Sequence, residues 1–178
     1  MLIVITGPMA SGKSTVAREL ARELERVQVR AAVIDLDLVY DMLTADGPKD
    51  DAAAWTLARH AAASLTNVLL ADGVAVVIAE GSYNTPGDRA ALAKHLDTSI
   101  GPLYVSLRVS CEEALHRAQG DPTRGLSRDP VFLAPYFAAV SQTLAIVPAT
   151  DIVIDTEQTT ATSAAAAIAR LVLPGLAK

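Results

Sequence analysis

Among 178 residues there is one cysteine, Cys111, and aromatic residues make up only 4%. A single thiol cannot close an internal disulfide or build a metal cage, which fits a reducing, cytoplasmic setting. As a side chain Cys111 reads as a small, buried or half-buried residue. So few rings argue against an aromatic platform for stacking nucleic-acid bases. Positive charge is also in deficit: 15 Lys and Arg against 20 Asp and Glu leave a net charge of −5. That balance disfavours binding to a phosphate backbone, so no nucleic-acid partner is expected. Long apolar runs are missing as well. Residues 130–150 carry no charge, but Pro135, Ser141, Gln142, Thr143 and Pro148 interrupt them before about 18 apolar residues accumulate. Residues 2–6 read as a structural strand rather than a targeting peptide, so a soluble cytoplasmic protein with no membrane partner is expected.

What the sequence does hold is aliphatic: 51% of residues are hydrophobic and 20% charged, enough for one domain over 1–178 with a sizeable core. Short β-branched runs at 2–6, 31–36, 74–79, 103–109 and 151–155 alternate with helical patterns at 13–25, 51–71, 86–95, 111–118, 130–146 and 160–172. That alternation predicts βαβ units and a parallel α/β sheet. The run 74–79 is apolar at every position, as suits a strand covered on both faces. Ser110 and Glu113 have capping-box spacing, and Pro86 and Pro130 are placed as first-turn prolines. The clearest loops are 120–129 and the shorter 46–51.

Residues 7–14, Gly-Pro-Met-Ala-Ser-Gly-Lys-Ser, complete the pattern G-x-x-x-x-G-K-[ST] between a predicted strand and a predicted helix. The physics asks for these residue types. Gly7 and Gly12 let the backbone approach phosphate oxygens, so that the amides through Ala10 and Ser11 point into one concavity at a helix N-terminus. Lys13 then lies along the β- and γ-phosphates, the Ser14 hydroxyl serves Mg²⁺, and Thr15 reaches an α-phosphate. No guanine-reading N-K-x-D tetrad is present, which leans towards ATP.

Three further features bear on what happens to the phosphate. Asp35 and Asp37 stand at the end of strand two, where alternation puts them on one side of the crevice in which such sheets bind ligands. One carboxylate would orient Mg²⁺-bound water and the other accept a proton from an attacking hydroxyl; either has a competing use as a helix cap. Glu80 ends strand three, suited to the Mg²⁺ shell, to a substrate hydroxyl, or simply to solvent. Arg117, Arg124 and Arg128 fall in a lid over about 117–130, where they would neutralise charge on the transferred phosphoryl group, or remain a solvated basic loop.

Together these residues resemble the small P-loop kinases of the nucleoside-monophosphate-kinase-like group. That group includes shikimate, gluconate and adenylylsulfate kinases and chloramphenicol phosphotransferase; the stretch 104–111 is most similar to the last. The resemblance implies a three-layer α/β/α fold with a five-stranded parallel sheet in the order 2-3-1-4-5. It also implies ATP- and Mg²⁺-dependent phosphorylation of a small-molecule hydroxyl, an antibiotic or related natural product being one acceptor class. Asp37 matches the catalytic base and Asp35 the carboxylate near Mg²⁺, while Asp155 and Thr156 lead into the loop flanking adenine. Gly81-Ser82-Tyr83 departs from the glycine triplet of shikimate kinases. The acceptor region, about 37–72, contains Tyr40, Met42, Leu43, Trp55, Leu57, Arg59 and His60, with Lys49 and Arg59 as its few cations. Asp35, Asp37, Arg59 and Glu80 are the expected acceptor contacts, and the mixture suits a largely neutral or amine-bearing alcohol. Tyr40 and Trp55 have an equal claim as packing residues, and His95 and His116 read as surface. A nucleoside or nucleotide kinase and a regulatory NTP-binding module remain the alternatives, and the oligomeric state is not legible.

Overall fold

A computed structural model describes residues 1–44, 50–144 and 152–176. Strands β1 (Leu2–Thr6), β2 (Ala31–Asp35), β3 (Val76–Glu80), β4 (Pro102–Arg108) and β5 (Ile152–Asp155) form one parallel sheet in the order β2-β3-β1-β4-β5. β1 and β3 are buried at every position, which explains why they are apolar up to their last residues, Thr6 and Glu80. The edge strands β2 and β5 are only partly covered. Lys49, Asp151 and residues 145–146, which carry some of the sequence expectations, lie outside the described residues.

Helices α1 (Lys13–Arg26) and α7 (Ala161–Leu176) cover one face of the sheet. On α1, Val16, Ala17, Leu20 and Leu24 recur at helical spacing and are buried, with Leu20 and Leu24 contributing about 1.5–3 kcal/mol each. The other face is covered by α2 (Leu36–Asp41), α3 (Ala52–Ala71) and α4 (Pro86–Ala93). Here Leu36 and Tyr40 pack with Ala58, Ala62, Ala63 and Leu92. A third cluster joins Ala10 of the loop after β1 to Ala114 and Ala118 of α5 (Cys111–Gln119) and to Leu133 and Phe137 of α6 (Pro130–Leu144). It fixes the phosphate loop against the helices that border it.

Strand two is shorter than its sequence predicts. It ends at Asp35, and α2 begins at once, because the Asp35 carboxylate accepts from the Asp37 and Leu38 amides at 2.9 and 3.4 Å. Asp35 and Asp37 are therefore not alternating strand residues: the first caps α2 and the second sits in its first turn. Only half of the expected capping box forms at Ser110, whose own amide donates to Glu157 instead, at 2.6 Å. A complete box forms at Thr85 and Asp88, with Pro86 in the first turn of α4. Loop 120–129 also contains a 3₁₀ turn, Leu126–Arg128. No helix among the described residues is long and apolar enough to cross a membrane.

Candidate active site

All five strands run the same way, so their carboxyl ends share one rim carrying Thr6, Asp35, Glu80, Arg108 and Asp155. The loop leaving β1 passes close beneath β4. A Cβ on Gly7 would stand 2.7 Å from the Leu107 carbonyl oxygen and 2.9 Å from Ser11 Oγ, so only glycine fits there. Gly12 caps α1 in the left-handed region at φ 90°, which presents the first-turn amides to the concavity. Ala10 is also left-handed, at φ 57°, a conformation worth roughly 1–3 kcal/mol of local strain and held here by its packing against α5 and α6.

Lys13 Nζ folds back to donate to the Gly7 and Pro8 carbonyls at 3.2 and 3.0 Å. Burial pulls its pKa down, and Arg124 adds to the effect, while Glu80, Asp37 and Asp35 oppose it. These neighbours make up the charged end of the candidate site. Glu80 is 3% exposed, and burial pushes its carboxyl up to about 7. The Ser14 side chain hydrogen-bonds to Glu80 and, with Lys13, works against that rise; Asp35 and Asp37 reinforce it. Lys13, Ser14, Asp35, Asp37 and Glu80, which the sequence analysis selected separately, thus meet at one place.

Beside α1's N-terminus lies a cavity of about 380 Å³, lined by Ala10, Ser11, Gly12, Thr15 and Val16 from the loop and helix. Its opposite wall is Arg117, Asp121, Arg124, Thr156, Thr159, Thr160 and Ala161. Arg117 is held rigidly: Nη1 and Nη2 donate to Thr156 Oγ1 and O at 3.0 and 2.8 Å, and Nε donates to Glu113 at 2.7 Å. Thr156 is itself hydrogen-bonded to the Arg108 carbonyl. A cavity continuous with the phosphate loop, with an apolar side at Val16 and Ala161 and hydroxyls at Thr156, Thr159 and Thr160, has the chemistry for a nucleoside. Arg117 and Arg124 border it. Arg128 does not: it is exposed and lines a separate, open hollow with Gln119, Gly125 and Leu126, which Arg124 shares.

Arg59, expected to face an acceptor, is 7% exposed and already engaged by the protein, with Ser82 O and Asp88 as its partners. Tyr40 is buried and stacks on Trp55 with ring centroids 4.3 Å apart, so packing accounts for that pair. His116 is exposed, and the exposed His95 stacks on His60. Two residues that sequence reasoning did not single out join the site. Tyr136 of α6 accepts from the Met9 amide at 3.2 Å and feels the charge of Asp37, although burial is the larger reason its phenol pKa rises. Thr6 at the end of β1 accepts from the Tyr83 amide and donates to Asn84, tying down the turn that follows Glu80. Neither contact has a local sequence signal.

The architecture agrees with solved structures over almost the whole chain. A shikimate kinase from Acinetobacter baumannii in complex with shikimate superposes with a TM-score of 0.61 at 22% identity, covering 98% of this chain and 93% of that one. A sugar kinase from Janibacter sp. HTCC2649 gives 0.69 at 18% identity, covering 98% and 96%. A gluconokinase from Sinorhizobium meliloti 1021 gives 0.58 at 20% identity, covering 98% and 90%. A comparison with curated proteins gave no match. The fold is that of the P-loop kinases, as the sequence resemblance implied. The family described as AAA domain matches residues 2–125, which include the phosphate loop, all three carboxylates and Arg124, and the chain belongs to that family.

Proposed function

We propose that the protein is an ATP-dependent kinase that phosphorylates a hydroxyl group of a small molecule, antibiotics and related natural products being one acceptor class. The observation that supports this reading is that the charges of three carboxylates act on Lys13, while a cavity is lined by the same loop and the helix it opens. A nucleotide seated in that cavity with its phosphates on the 7–14 loop would present its terminal group to Asp35, Asp37 and Glu80.

Each residue then has a task. The loop amides and Lys13 hold the phosphates, and Arg117 and Arg124 close the nucleoside side and offset charge on the phosphoryl group. Asp37 takes the acceptor's proton as the acceptor oxygen bonds to the γ-phosphorus and the bond from that phosphorus to the β–γ bridging oxygen breaks, releasing ADP. Mg²⁺ fits the donor set at Ser14, Glu80 and Asp35, all hard oxygen ligands. Among the described residues no group of three His, Cys, Asp or Glu could hold a metal by itself. An ion shared with phosphates needs only one or two carboxylates, and it would supply charge neutralisation at the transferring group. Asp35 Oδ1 is committed to the α2 cap, which makes Ser14 and Glu80 the principal holders.

ADP release from the purified chain with Mg²⁺ and ATP, measured with and without candidate alcohols, tests the reading. Acceptor-dependent release with a phosphorylated product supports it. Slow release indifferent to every acceptor points instead to a regulatory NTP-binding module, and stimulation by nucleosides or their monophosphates alone points to a nucleotide kinase.

A further inference from the structure

Two histidines meet where α3 packs against the chain leaving α4. The rings of His60, on α3, and His95, just past the end of α4 at Ala93, have centroids 4.0 Å apart and planes 39° from parallel. His60 is half-buried and His95 exposed. The backbone fixes their meeting. His95 O accepts from Asn67 Nδ2 at 2.8 Å, and Asn67 Oδ1 accepts from the Asp97 amide at 3.0 Å. Asn67 lies two turns along α3 from His60, about 10 Å away. The His95 ring therefore reaches back along α3 while its backbone is moored further on.

Neutral imidazoles can stack in this way, whereas two imidazoliums at the same distance repel. The surrounding charges do not offset that repulsion. Of the acidic groups on the packed elements, Asp88 is engaged by Arg59 and the Thr85 amide, and Asp97 Oδ1 by the amide and hydroxyl of Ser99. Of the cations, Arg59 is turned to Ser82 O and Asp88, and Arg89 lies over the Tyr104 ring. Burial, then the charge of His95, then that of Lys94, all pull the His60 pKa below its ordinary 6.5, and no carboxylate opposes them. The unfolded chain thus binds this proton more tightly than the folded one. The contribution to stability is whole above about pH 6.5 and is lost as pH falls below it.

We propose that His60 and His95 form a pH-sensitive clasp, which holds residues 95–97 against α3 when neutral and loosens them when both rings carry a proton. The loosening is local. At the other end of α4, Arg59 and Arg89 hold Ser82 and Tyr83 through bonds in which no histidine takes part. The clasp is also independent of the kinase reading, since neither histidine lines the cavity beside the phosphate loop.

NMR of the full chain between pH 8 and pH 5 tests this, following the His60 ring protons and the exchange of the Asp97 amide corrected for its intrinsic rate. Two unit charges 4 Å apart in a water-like medium change an equilibrium constant about fivefold. His95→Asn keeps the backbone carbonyl that receives Asn67 and removes one of the charges. The proton affinity of His60 is expected to rise about fivefold in this variant. In the wild type, protection of the Asp97 amide is expected to fall about fivefold from pH 8 to pH 5, and in His95→Asn to lose that dependence on pH. Equal proton affinity of His60 in the two proteins overturns the coupling of the rings. Protection in the wild type that does not change with pH overturns the loosening, a result that needs no variant. The same loss of protection in both proteins assigns it to some other group and overturns the clasp.

Discussion

Replacing Glu80 with Gln tests the electrostatics of the charged end of the candidate site without touching the nucleoside cavity. Burial moves the Glu80 carboxyl from its ordinary 4.5 to about 7, whereas in the unfolded chain it titrates normally. Between those values the folded protein holds a proton that the unfolded chain has lost. Stability therefore falls as pH rises through this window and flattens above it, the opposite of a salt-bridged carboxylate. At about 1.4 kcal/mol per unit, the shift amounts to a penalty on the order of 3 kcal/mol for the ionised folded form. Gln leaves an oxygen for the Ser14 hydroxyl while removing the charge. It also removes one of the acidic neighbours of Lys13, which offsets part of the gain. Urea unfolding in EDTA, compared at pH 4.5 and pH 8, reads the difference. The variant is expected to match the wild type at the lower pH and to exceed it by about 1–3 kcal/mol at the higher. A variant whose advantage does not grow with pH would refute a buried, reluctantly ionised Glu80.

Two further substitutions probe the loop and the nucleoside cavity. Gly7→Ala drives a methyl into the Leu107 carbonyl and should lower stability by about 2–3 kcal/mol, read as an earlier urea midpoint; an unchanged midpoint would mean that β4 does not press on the loop. Arg117→Ala cuts the links to Thr156 and Glu113 and should weaken ATP binding about tenfold by calorimetry, whereas unaltered affinity would remove Arg117 from the nucleoside wall.

How much of this was legible in the sequence depends on the range of the interactions. The phosphate loop is read from eight consecutive residues because its work is done by local backbone, and both glycine positions have the geometry that the pattern demands. The sheet order followed from family resemblance, and the burial of residues 76–79 in β3 from their apolar run; the burial of Glu80 did not. The cap role of Asp35 was one of the two uses its position offered, but α2 was not among the expected elements, although Leu36 and Tyr40 stand four residues apart and both are buried. The β-branched run ahead of it concealed that switch of period. The internal partners of Arg59 were illegible for a different reason. Its partners Ser82 and Asp88 are 23 and 29 positions away, and α3 and α4 pack together only in the folded chain. Tyr136 reaches Met9 across 127 positions, beyond any local pattern.

The central claim is that the γ-phosphoryl group faces Asp37. Asp37→Asn measures it most directly, by ATP affinity and acceptor-dependent ADP release on the same preparation. Wild-type ATP affinity with release slowed by a factor of about 10²–10⁴ is the predicted result. Release at the wild-type rate would contradict the account and transfer the proton-accepting role to Glu80 or Asp35.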